Sequence, residues 1–190
     1  ITKYMAYVKS SIPRPGDGAG APSARKSAII LVDVEDVASE PSREVGNCNV
    51  TGNLTLKTGA KAVSIYATSS TIQITEEYSG DPDAEGVKNG LVYDHPGNST
   101  AVKNFVEVFK NRGVIAFVQE CDGTSAGRTQ ILGSVCNPLR LSIETKMDNE
   151  ATKRTMTWKQ SLPDKFLAGD YAGDLPEVAA AAGSSEGGGA

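Results

Sequence analysis

One histidine, three cysteines and 6% aromatic residues are little chemistry for a chain of this size, and each shortage narrows what the protein can do. A histidine-based triad, a zinc cluster or a histidine general base would have only His95 to draw on, and no cysteine lies near it in the chain. Asp94 precedes it, but adjacent side chains diverge; Pro96 and Gly97 predict a turn behind it. No serine occupies a G-x-S-x-G elbow. Cys48, Cys121 and Cys136 cannot all pair within one chain and match neither zinc-ribbon nor CxxC spacing, so they are expected to be buried, reduced thiols. So few rings give little to stack a sugar or a single strand on. No apolar run approaches the roughly 20 residues of a membrane helix, and no basic-then-apolar leader opens the chain, which predicts a soluble protein with no membrane partner. Lysine and arginine, 19 against 23 acids, are scattered and leave a net charge of −4, which argues against a phosphate-neutralising nucleic-acid binder.

What is present is a β pattern. The 190 residues, 39% of them hydrophobic, suffice for one domain with a genuine core. Residues 1–24 read as an extended N-terminal arm ending in the Pro/Gly run "PRPGDGAGAP", and 171–190 as a flexible Ala/Gly-rich tail. Between them, in a domain spanning 25–170, strands are predicted at 27–34, 62–67, 70–78, 114–120, 128–133, 139–145 and 154–160. "CNVTGNLTL" adds another, with Cys48, Val50, Leu54 and Leu56 on one face and a bulge at Gly52. About eight strands make a β-sandwich or a β-barrel, mainly β with one flanking helix.

That helix is "NSTAVKNFVEVFKNRG". Over 98–112 it offers Asn98 or Ser99 as N-cap, Lys110 and Arg112 near its negative end, and Gly113 as the left-handed residue that stops it. Val102, Phe105, Val106 and Phe109 form one apolar stripe, whose burial contributes on the order of 6 to 12 kcal/mol before entropy. The helix is therefore expected to dock on the sheet.

Three motifs invite a functional reading and a plainer one. "DPDAEG" places Asp81, Asp83 and Glu85 like the start of a calcium loop, but position 12 is Val92, so a solvated acidic loop is expected. "GDGAGA" follows a Pro-rich arm and not a strand, which makes it a linker. "DVED" sets Asp33 and Glu35 at a strand end, where a charge device against stray strand pairing is the simpler account than a paired-carboxylate hydrolase. Trp158, alternating with Met156, is assigned to the core. The sequons at Asn49, Asn53 and Asn98 are taken as chance matches. No catalytic, cofactor-binding or metal-binding residue is assigned.

The order of these segments carries a resemblance. A β-rich body is followed by the polar stretch "EEYSGDPDAEGVKNG", the helix at 98–112, "VIAFVQECDG", "ILGSVCNPLRLSIET" and "RTMTWKQSLPDKFLAGDY". Over roughly residues 25–170 this resembles the tail tube (major tail) protein of long-tailed bacteriophages. The resemblance implies a virion structural protein, not an enzyme, assembled in the host cytoplasm. Its copies, six to a ring, would stack into a tube through which DNA passes without specific binding, alongside other virion tail proteins. Contacts between subunits are expected from the arm 1–24, the loop 79–92 and the tail 172–190. The Pro-rich arm and Ala/Gly tail depart from a minimal tube protein. Two alternatives are a capsid-associated or tail-completion protein of the same kind of virion, and a secreted β-domain that binds or hydrolyses glycans.

Overall fold

The computed structural model describes residues 10–17, 19–121 and 127–181. It is a β-sandwich, not a closed barrel, with one α-helix. Thirteen short strands appear among the described residues, more than the eight or so expected, because several segments add only two or three residues to an edge.

The two most apolar runs build the middle of the molecule. Strands β1 (Ala24–Arg25) and β2 (Ala28–Asp33) both pair with β9 (Gly113–Cys121), the latter from Ile30 opposite Phe117 to Asp33 opposite Val114. Alternate residues of β2 and β9 feed two separate cores. Ile29, Leu31, Val114, Ala116 and Val118 enter the first, and Ile30, Val32, Ile115 and Phe117 the second. Burial on both faces is why these strands read as unbroken hydrophobic runs. The layer is extended by β6 (Val63–Tyr66) beside β2, and by β10 (Thr129–Leu132), β13 (Gly169–Tyr171) and β4 (Asn49–Val50) beyond β9.

The second layer is an antiparallel four-stranded sheet in the order β11 (Leu139–Met147), β12 (Thr152–Gln160), β8 (Gly86–Pro96) and β7 (Gln73–Ser79). Only Leu139 and Arg140 of β11 pair with β9, after which the strand leaves for the second layer. Leu91 and Tyr93 of β8, Met156 and Trp158 of β12, and Leu139 close the first core from this side.

The helix docks as its stripe requires. α1 (Thr100–Phe109) buries Val102 and Phe109, with Phe105 and Val106 packed against the same core, and the Phe109 ring stands edge-on to Trp158 at 6.2 Å. Ser99 is the N-cap and accepts from the Val102 amide at 3.4 Å. Gly113, however, is not a left-handed stop. It is the first residue of β9, and a Cβ there would lie 2.5 Å from Pro138, so glycine is required by close approach. Lys110 pairs with Glu107, and Arg112 reaches the strand end at Asp33.

Four further expectations are corrected. The stretch 79–92 is not one loop: from Gly86 it is β8, the longest strand, and only 80–85 turns the chain. "CNVTGNLTL" is not one strand, since β4 and β5 (Thr55–Leu56) join different sheets, β5 pairing with β3 (Val37–Ser39); Gly52, at φ +98°, sits in the turn between them. Cys48, Cys121 and Cys136 are free but exposed, not buried. The tail does not loosen at 171. Residues 172–179 form a strap over the second core, where Leu175 and Val178 pack and the amides of Ala62 and Ala179 bond to Glu177 and Ala62 carbonyls at 2.8 Å. Residues 1–9 of the arm and 182–190 of the tail lie outside the described residues.

Candidate functional site

The sequence-level candidates do not converge. His95 stands at the end of β8, where its Nδ1 donates to the Tyr66 carbonyl at 2.7 Å and its ring meets the edge of Tyr66. Asp94 beside it turns to the other face of the sheet and accepts from Lys153 and Thr155, both at 2.6 Å. Asp33 and Glu35 do come together, but around Arg112, which donates to them at 2.5 and 3.1 Å. Asp33 also caps the short 3₁₀ turn Val34–Asp36 through the Glu35 amide. With that cation between them the two carboxylates are an ion-pair clamp joining the strand end to the turn after the helix. Asp81, Asp83 and Glu85 lie exposed in the β7–β8 turn, and no cluster of three metal-ligating side chains occurs among the described residues.

The four-stranded sheet presents the least conventional surface. Its outward face is built in rows fixed by strand register: Ser142, Thr157, Val92 and Gln73 in one, Glu144, Thr155 and Asp94 in the next, Arg140, Lys159, Gly90 and Thr75 on the other side. Val92 is the single apolar side chain in these rows. Most cations on this face are spent on carboxylates: Lys153 on Asp94, Lys159 on Glu77, and Lys146 on Asp148. Partial burial works to raise the Asp94 carboxyl, but hydrogen bonds from Lys153 and Thr155 outweigh it and hold the group below its ordinary value.

Both ends of this sheet are open. No strand pairs along the outer edge of β7 among the described residues, nor along β11 from Leu141 to Met147. Each open edge carries one prominent apolar side chain, Tyr78 at 67% exposure on β7 and Met147 at 60% on β11. Sequence reasoning missed this feature because an edge is a property of topology, visible only once every strand has its neighbours.

A cavity of about 510 Å³ opens where the loops before β11 and after β12 meet the segment at Glu40–Arg43. Its charged lining is mixed, Arg43 and Lys165 with Glu40 and Asp164, and Arg43 also lines a second cavity of about 160 Å³. The guanidinium donates to the carbonyls of Ile131 at 3.0 Å and Leu167 at 3.3 Å and lies over the Phe166 ring. Among the described residues no carboxylate comes within ion-pair reach of it. Burial draws its pKa below the ordinary value against the opposing pull of Asp164 and Glu40, whose oxygens are engaged elsewhere: Glu40 with the Val135 amide, Asp164 with the Lys165 amide and Gln160.

No helix of the described residues is long and apolar enough to cross a membrane. No protein-family model, curated protein or solved structure matches this chain.

Proposed function

We propose that the protein is a self-assembling structural subunit, the tail tube subunit of a virion, whose copies close into rings through the edges of the four-stranded sheet. The observation that carries the reading is the pair of open edges. An even number of antiparallel strands leaves β7 and β11 running in opposite directions. A rotation from one copy to the next therefore sets β7 antiparallel to the neighbour's β11, and the alternation continues around a closed ring. Exposed edges of this length invite strand addition, and a ring removes them all at once.

The outward face of the same sheet supports the channel. On that wall Lys153 and Lys159 are already held in ion pairs, which leaves DNA fewer free cations to bind and suits passage more than capture. Six copies to a ring, rings stacked into a tube within the virion, and contacts with other tail proteins complete the proposal.

Hydrogen exchange as a function of protein concentration tests it. Amides of 73–79 and 141–147 exchange fast in dilute protein and become protected together as the concentration rises. Protection that does not change with concentration on either edge contradicts the reading.

A further inference from the structure

We infer that β7 joins the neighbouring copy's β11 in one register, with Tyr78 opposite Ile143 and Ile74 opposite Met147; the inference rests on the edge pairing proposed above. Three constraints select it. The first is the pleat. Ile74 and Tyr78 share the core side of the sheet with Leu91 and Val87, their buried partners on β8. On β11 that side belongs to Leu141, Ile143, Thr145 and Met147, since Leu141 and Ile143 stand opposite the buried Trp158 and Met156. A joint that keeps both faces continuous therefore sets Tyr78 opposite Leu141, Ile143 or Thr145. The second constraint is β9, which already pairs with Leu139 and Arg140 from the same side, Gly113 standing opposite Arg140. With Tyr78 at Leu141, Ser79 would fall in the place of Gly113. The third is length. With Tyr78 at Thr145 only Glu76–Ser79 stays paired, because Thr75 runs past Met147, the last residue of β11. The middle register pairs Ile74 through Ser79 with Met147 back to Ser142.

The apolar side chains agree independently. Tyr78 and Met147, exposed on opposite edges of one copy, each meet an isoleucine of the other in this register, and such cross-strand pairs stabilise a sheet. The outer face carries one misfit, Glu77 opposite Glu144. Lys159 holds Glu77 within its own chain, while Glu144 is exposed. Like charges directly opposite weaken a strand pair, so removing one of these carboxylates tightens the joint.

Paired cysteines read the register directly. Within one chain β8 and β12 separate β7 from β11 by about 14 Å, too far for a disulfide, so any bond joins two copies. In a protein carrying Cys48→Ser, Cys121→Ser and Cys136→Ser, Glu77→Cys with Glu144→Cys is oxidised under assembling conditions. The expected product is a ladder from dimer up to a closed ring. Glu77→Cys with Ser142→Cys, and Glu77→Cys with Lys146→Cys, report the registers to either side and are expected to give no ladder. A ladder from one of these two in place of the first overturns the register while leaving edge pairing intact. Rings seen by particle imaging with no ladder from any of the three overturn edge pairing as well, and failure of the unmodified protein to assemble overturns both. As a second readout, Glu144→Gln lowers the concentration for half-assembly by about threefold, and an unchanged or raised value contradicts the pairing of Glu77 with Glu144.

Discussion

Trp158 is the residue on which the two layers and the helix depend together. Fully buried, it donates from Nε1 to the Tyr93 hydroxyl at 3.0 Å and receives the edge of Phe109. Burial pushes the Tyr93 phenol far above its ordinary value, so it stays protonated. Trp158→Leu is expected to cost about 3 kcal/mol in urea unfolding by leaving a void. Trp158→Phe keeps most of the volume but strands a buried hydroxyl, and should cost about 1–2 kcal/mol. Gly113 makes a sharper case. Gly113→Ala drives a methyl group into Pro138 and is expected to destabilise by about 1–3 kcal/mol, whereas Gly20→Ala, with open space around it, should be close to neutral in the same assay. Asp94 supplies a pH dependence. Its folded pKa lies below the unfolded value, so its stabilisation is complete above the ordinary carboxylate range and is lost as pH falls through the depressed value. Asp94→Asn should flatten the acid limb of the stability profile and cost about 1 kcal/mol near neutrality; equal acid limbs in the two proteins would contradict the assignment.

At the scale of elements, periodicity revealed what was buried by a regular stripe and missed what was buried by exception. β2 and β9 stood out as nearly continuous apolar runs, and the helix because its apolar spacing matches its period. β8 did not, because its first half, "GVKNG", carries two glycines and an asparagine. Gly86 and Gly90 are needed where Pro163 and Thr75 crowd the backbone, and Asn89 is buried against Gln160 and the Phe166 carbonyl. The strap 172–179 hid for the opposite reason. Its composition looks disordered, yet Leu175 and Val178 anchor it and Tyr171 bonds both the Leu54 amide and the Asp174 carbonyl. The cysteines were misjudged because burial was inferred from residue type alone. Arg43 gave no sequence signal at all: its partners are 88 and 124 residues away. Two element-level outcomes follow. Ser99→Ala removes the helix cap and should cost about 1 kcal/mol in thermal unfolding. Val178→Asp should free the strap and speed hydrogen exchange in β6 and the Ala62 region without unfolding the sandwich, because the first core does not include it.

The whole molecule is two cores and one sheet with both ends open. That asymmetry is the basis of the functional proposal: among the described residues the first layer is capped on its outer face by the paired β3 and β5 and by the strap, while the second layer leaves a polar face and two edges uncovered. On the proposed function the edges, which carry the exposed Tyr78 and Met147, are the surfaces that a neighbouring copy covers. The most direct test of self-assembly through them is sedimentation velocity over a wide concentration range, with particle imaging of the fast fraction. The account predicts a concentration-dependent shift from monomer to a discrete ring, with stacked rings at the highest concentrations. A single monomer boundary at every concentration would contradict it.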